Sequence, residues 1–158
     1  MGRTQETVGN LPPPDPAELA EFKKQTRALY DMKEAAVAAG NLEPLLARFY
    51  AQDAMSFGPD AKIIRGRGEF KGIYEEFAKN ILSLTITSIH AYVNGNIGWD
   101  WANIENKVKG GSKLHVAILF LWVKINGLWV SAGDTFTISP DKPIVWQVTR
   151  PASEAHRR

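Results

Sequence analysis

The sequence predicts an α+β domain, with N-terminal helices laid against one face of a C-terminal antiparallel sheet. Two observations predict it. Between Asp15 and Ile81 apolar residues recur mostly at helical spacing. From Ile86 onward the chain reads as strand, cut by the tight-turn pairs Asn94-Gly95, Gly110-Gly111 and Asn126-Gly127. A length of 158 residues and an apolar content of 44% suit one domain with a core that needs no staples.

Residues 1–14 read as a flexible tail ending in Pro12-Pro13-Pro14, which favours an extended path. Residues 15–139 form the domain, and 140–158 a C-terminal extension. The first helix starts at Asp15-Pro16-Ala17-Glu18, where Asp caps free N–H groups and Pro suits the first helical position. Leu19, Phe22, Leu29, Met32 and Ala36 make its apolar face, and Gly40-Asn41 stops it. Asn41 caps a second helix that buries Leu45, Leu46, Phe49 and Tyr50. Met55-Ser56-Phe57 and Lys62 to Arg65 read as two short strands about Gly58-Pro59-Asp60. A third helix carries Phe70, Ile73, Tyr74, Phe77 and Ile81. Strands follow at Ile86 to Val93, Ile97 to Val108, Leu114 to Ile125 and Leu128 to Ile138, the last three as a meander. Ile144-Val145-Trp146 reads as a segment laid back on the body.

The net charge of +2 creates no demand for nucleic acid or an anionic membrane. The absence of cysteine excludes a disulfide scaffold, thiolate metal sites and a cysteine nucleophile. No apolar run reaches the ~20 residues of a membrane span, and the N-terminus lacks a secretion signal, so a cytoplasmic protein is expected. The sequence contains no Walker loop, dinucleotide fingerprint or nucleophile elbow. His90, His115 and His156 show no metal-ligand spacing, so neither metal nor cofactor is expected.

Strand alternation supplies the candidate chemistry. Leu128, Val130, Ala132, Asp134, Phe136 and Ile138 fall on one face of the last strand. Gly98, Asp100, Ala102, Ile104 and Val108 share a face of an earlier one. Each row sets one carboxylate among apolar neighbours, which is costly unless the group is paired or used. A shared pocket would raise a carboxyl pKa toward working pH and make an acid or base. Hydrogen-bonded burial of each Asp is the plain alternative. Tyr30 and Tyr50, near apolar helical faces, can offer a hydroxyl to a ligand, and His90 and His115 lie on strands. Trp99 and Trp101 lie opposite Asp100, which suggests packing or a subunit interface. Arg65, Arg67 and Lys71 form a basic run at a helix start, either a solvated face or a phosphate site.

Element order and three strings resemble the nuclear-transport-factor-two-like superfamily, in particular its SnoaL-like enzymes. The strings are Leu-Leu-Ala-Arg-Phe-Tyr-Ala-Gln-Asp-Ala at 45–54, Ile-Arg-Gly-Arg at 64–67 and Gly-Leu-Trp-Val-Ser-Ala-Gly-Asp-Thr-Phe at 127–136. The resemblance covers about residues 17–138. It implies a cone, a curved sheet around three helices with a deep pocket at its open end, and a homodimer through the sheet face. Asp134 resembles the acid/base aspartate of SnoaL-like polyketide cyclases and of limonene epoxide hydrolase, and Asp100 resembles the latter's second aspartate. That hydrolase has an arginine where this chain has Gly98. A ketosteroid isomerase would place its base near Gly58 and its acidic partner near Lys124, and neither residue can do that work.

The expected function is therefore cofactor-free acid–base catalysis on a small, apolar, aromatic molecule: isomerisation, cyclisation or lyase chemistry, including retro-aldol release of an aldehyde. Asp134 and Asp100 are the catalytic candidates. Tyr30, Tyr50, His90, His115, Phe57 and Phe136 are the candidate substrate contacts. A non-catalytic ligand- or partner-binding module and an epoxide hydrolase are the alternatives.

Overall fold

A computed structural model of the chain describes residues 8–146. Parts of both expected extensions, residues 1–7 and 147–158 with His156, lie outside the described residues. Helix α1 spans Pro16–Ala39 and α2 spans Gly66–Asn80. The strands are β1 (Tyr50–Phe57), β2 (Ile63–Arg65), β3 (Ile81–Asn94), β4 (Ile97–Val108), β5 (Lys113–Ile125) and β6 (Leu128–Pro140). They form one open sheet in the order β2-β1-β6-β5-β4-β3. Neighbours run antiparallel except β1 and β6, which are parallel.

Helix α1 begins and ends on the residues that predict it. The Asp15 carboxylate accepts from Glu18 N at 2.9 Å, and Gly40 closes the helix at φ 68°. The helix is pinned to β3 from both sides: Arg27 donates to Ile86 O at 2.6 Å, and Glu34 accepts from Ile86 N at 2.8 Å.

The expected second helix is shorter and wider than its spacing implies. Asn41 Oδ1 does accept from Glu43 N at 3.3 Å, but Leu45–Phe49 forms a single π-helical turn. Tyr50 already belongs to β1, with an extended backbone at φ −104° and ψ 141°, and its ring packs against Phe70 and Tyr74 of α2, at 4.5 and 6.0 Å between centroids. Arg67 closes this turn by donating to Tyr50 O at 3.0 Å, which ties the expected basic run to the fold.

The face predicted for the last strand is corrected by a bulge. Trp122 pairs with Ser131 and Leu121 with Gly133, so Ala132 is an extra residue. The bulge inverts the alternation. Trp129 and Ser131 point inward before it, Asp134 and Phe136 after it, and Leu128 is 55% exposed. Gly133 makes this possible. Its φ is 147°, and a Cβ there would lie 1.9 Å from Met55 O on β1. Similar register shifts in β1 and β3 bend the rest of the sheet. The inner face of β4 matches its prediction, with Gly98, Asp100, Ala102 and Ile104 buried, and adds Asn106.

Candidate active site

Between α2 and the inner face of β4, β5 and β6 lies a cavity of about 240 Å³. That is just below the range of small-molecule sites, ~300–1,000 Å³, and suits a small substrate. Ile73 and Phe77 of α2 wall one side, and Ile104, Val116, Ile118 and Phe136 wall the sheet side. Nearly all of this lining is apolar. Lys33, Ser56, Tyr74 and Asp134 supply a polar end, and Asn106 lines it from β4.

The polar end is one hydrogen-bonded chain. Ser56 and Asp134 face each other across the parallel β1–β6 pair, and the Ser56 hydroxyl donates to Asp134 Oδ1. Tyr50 OH donates to Asp134 Oδ2 at 3.5 Å. The Tyr50 and Tyr74 hydroxyls are 2.6 Å apart. Lys33 Nζ donates to both, at 3.0 and 2.9 Å. With Tyr74 donating to Tyr50, and Tyr50 to Asp134, every oxygen and proton in the chain has a consistent role. Burial holds the Asp134 carboxyl above the usual carboxylate range, against the opposing pull of Lys33 and of the Ser56 and Tyr50 hydrogen bonds. Burial, reinforced by Tyr74 and Asp134, holds the Tyr50 hydroxyl well above the ordinary tyrosine value.

The two aspartates do not share this cavity, contrary to the sequence expectation. Asp100 and Asp134 both pair with Phe120, which puts their backbones about 10 Å apart across β5. Phe120 is fully buried between them and packs on Tyr30 and Phe49, at 5.2 and 5.8 Å. Lys33 and Asp134 lie on one side of this aromatic wedge, Tyr30 and Asp100 on the other. Tyr30 accordingly meets Asp100 and not the cavity, donating to Oδ2 at 2.7 Å, while Ser88 donates to Oδ1 at 2.7 Å. Burial raises the Asp100 carboxyl above its usual range, opposed by these two bonds and by the charge of Lys23.

Because its folded pKa is raised, Asp100 contributes most to stability below the ordinary carboxylate range, and this is lost as pH rises through the folded value. Tyr30→Phe removes a donor to the charged form and raises that value further. The variant is expected to lose about 1.5–3 kcal/mol at neutral pH. Urea titrations should show a smaller deficit near pH 4 than near pH 7.

The remaining candidates divide the same way. Phe136 lines the cavity and Tyr50 closes its polar end through Tyr74 and Asp134. Phe57 points away and is 45% exposed, since β1 turns Ser56 inward. His90 is exposed beside the β3 register shift. His115 pairs with Glu105 and lies in a separate groove with Asn103, Pro143 and Ile144, because β5 turns Val116 and Ile118 inward instead. Trp146 reaches Asn103 Oδ1 at 2.6 Å and packs edge-on against Trp101, so the described part of the C-terminal segment, up to Trp146, lies on the sheet and does not line the cavity. Sequence reasoning missed Lys33, Ser56 and Tyr74 as site residues, reading Tyr74 only as part of an apolar helical face. Lys33 follows Leu29 by four residues and Tyr30 by three, which puts it on the buried face of α1. Among the described residues no group of three or more His, Cys, Asp or Glu is placed to hold a metal ion. No described helix is long and apolar enough to cross a membrane.

No family model matches the chain, and no curated protein does. Solved structures do. A conserved protein from Planctomyces limnophilus is 14% identical with a TM-score of 0.67, over 77% of this chain and 98% of that one. An NTF-2 like protein of unknown function from Shewanella oneidensis is 16% identical with a TM-score of 0.65, over 73% and 98%. A ketosteroid isomerase-like protein from Erwinia carotovora atroseptica is 17% identical with a TM-score of 0.63, over 78% and 98%. The chain therefore has the nuclear-transport-factor-two-like, or cystatin-like, fold.

Neighbouring groups pack closely on two glycines. The Phe136 ring lies 2.9 Å from where a Cβ on Gly58 would be. At Gly98, a Cβ would lie 2.8 Å from Phe22 and from Tyr92 O.

Proposed function

We propose that the protein is a cofactor-free acid–base enzyme of the SnoaL-like type, an isomerase, cyclase or lyase acting on a small apolar, aromatic carbonyl compound. The observation that carries this reading is Asp134: a buried carboxyl with a raised pKa at the polar end of an otherwise apolar cavity. A carboxylate there can take a proton from carbon next to a carbonyl. The Lys33 ammonium lies beside it, and the N–H not given to Tyr50 or Tyr74 can hold the oxygen on which negative charge develops. The ring-rich walls suit a flat apolar body. The test is proton exchange. α-Tetralone incubated with the protein in deuterated buffer should gain deuterium at its α-carbon faster than in buffer alone, as read by NMR. Exchange at the buffer rate, across a panel of apolar ketones, would reject the reading.

The protein is further proposed to act as a homodimer through the outer sheet face. Trp101 pairs with Leu119 there and Trp99 with Leu121, and Trp101 and Leu121 are 40% and 44% exposed. Leu121→Arg should convert the dimer to a monomer in light scattering, with the cavity unchanged. A wild-type chain that is monomeric at all concentrations would remove this proposal.

A further inference from the structure

Lys33 stands out once the site is assembled. It is 3% exposed, the one buried lysine among the described residues. Lysine is rarely buried without a counter-charge. Lys33 takes part in none of the ion pairs found among the described residues, and its hydrogen-bond partners are the hydroxyls of Tyr50 and Tyr74. An ammonium has three N–H donors and finds two acceptors here. A neutral amine has two N–H donors and one lone pair, so both donors are used and the lone pair is left over. Lys33 also lines the cavity.

The hydrogen-bonded chain offers a route between the two forms. A proton can pass from Lys33 Nζ to the Tyr50 hydroxyl, while the Tyr50 proton passes to Asp134. The result is an amine and a carboxylic acid in place of a buried, unbridged pair of charges.

We propose that Lys33 is a covalent nucleophile that captures apolar aldehydes or ketones in this cavity as a protonated Schiff base. The inference rests on the acid–base reading of Asp134 and names the substrate class of that site. The Nζ lone pair attacks the carbonyl carbon, and the C=O π electrons move to oxygen, which takes the Asp134 proton. The nitrogen returns a proton to Asp134, giving a neutral carbinolamine. Asp134 then protonates the hydroxyl, which leaves as water as the nitrogen lone pair forms the C=N bond. The products are an iminium on Lys33, an Asp134 carboxylate and one water. The iminium is an electron sink for removal of an α-proton by Asp134 or for cleavage of the adjacent C–C bond. The Phe49, Tyr50, Tyr74 and Phe120 rings surround Nζ with centroids 4.9–5.4 Å away, and their faces favour the iminium cation as they do the ammonium.

The experiment is reductive trapping. The full-length protein is mixed with equimolar acetaldehyde, benzaldehyde or 2-naphthaldehyde and sodium cyanoborohydride, and adducts are mapped by peptide mass spectrometry. Lys33 should label at least tenfold faster than any exposed lysine with one or more of these aldehydes. Lys33→Met should abolish the fast phase. If that variant does not fold, the map of the wild-type protein still assigns the site. Tyr50→Phe should slow labelling of Lys33 at least tenfold at unchanged circular dichroism. Labelling of Lys33 no faster than that of exposed lysines with all three aldehydes overturns the proposal. An unchanged rate in Tyr50→Phe overturns the relay. Failure of trapping with deuterium exchange intact leaves Asp134 as the acid–base group and removes the covalent role alone. Loss of both removes the two readings together.

Discussion

Replacing Asp134 with Asn is expected to lower catalysed α-proton exchange by about 10²–10⁴-fold, the usual contribution of a positioned acid or base. Asn keeps the shape of the carboxyl and can still accept from Ser56, so the β1–β6 pairing survives and circular dichroism should not change. The amide cannot take up a proton from carbon. The wild-type rate should rise with pH through the raised Asp134 pKa and then level, and this inflection should vanish in the variant. Full exchange in Asp134→Asn would falsify the assignment of Asp134 as the base. The stability of the wild type carries the same signature with a defined sign. A carboxyl whose folded pKa is raised favours the folded state below the ordinary carboxylate range, and this support is lost as pH rises through the folded value. Asp134 therefore weakens the fold under the conditions in which it is ready to act as a base.

The second large effect is structural. Gly133→Ala should destabilise the fold by ~3 kcal/mol or more, read as a fall in the urea midpoint. Two causes add. The backbone at φ 147° is open to glycine and strained for alanine, and the new methyl would meet Met55 O at 1.9 Å. Relief requires β1 and β6 to part at the position where Ser56 faces Asp134. Activity should thus fall in the fraction that stays folded. A variant with wild-type stability would show that the bulge can be built another way.

Much of this architecture was legible in the residues. The caps at Asp15 and Gly40, the turn pairs between the long strands and the inward row of β4 follow from local rules. Asp134 was found by alternation, although the alternation itself is broken at Ala132. A bulge is a pairing event between strands, and the residues of one strand do not announce it. Gly133 was the available signal, a glycine inside a strand whose neighbours are otherwise regular. The separation of the two aspartates was not legible. It depends on where the Phe120 ring points and on what α1 and the π turn bring against it. Lys33 was overlooked because a lysine among helical polar residues reads as solvated. Its burial comes from tertiary packing, with Tyr50 and Tyr74 arriving from separate elements.

The parallel partnership of β1 with β6 also sets when the site can exist. Ser56 and Asp134 are 78 residues apart, and the bond between them joins an early segment to the last strand of the sheet. During translation the helices and the β3–β5 meander can form while the chain is still emerging. The acid centre must wait until β6 leaves the ribosome, so a nascent chain ending at the β5–β6 turn has the walls from α2, β4 and β5 but neither Phe136 nor the carboxyl of Asp134. High contact order of this kind slows folding, and it keeps a reactive hollow from being completed before β6 has paired with β1.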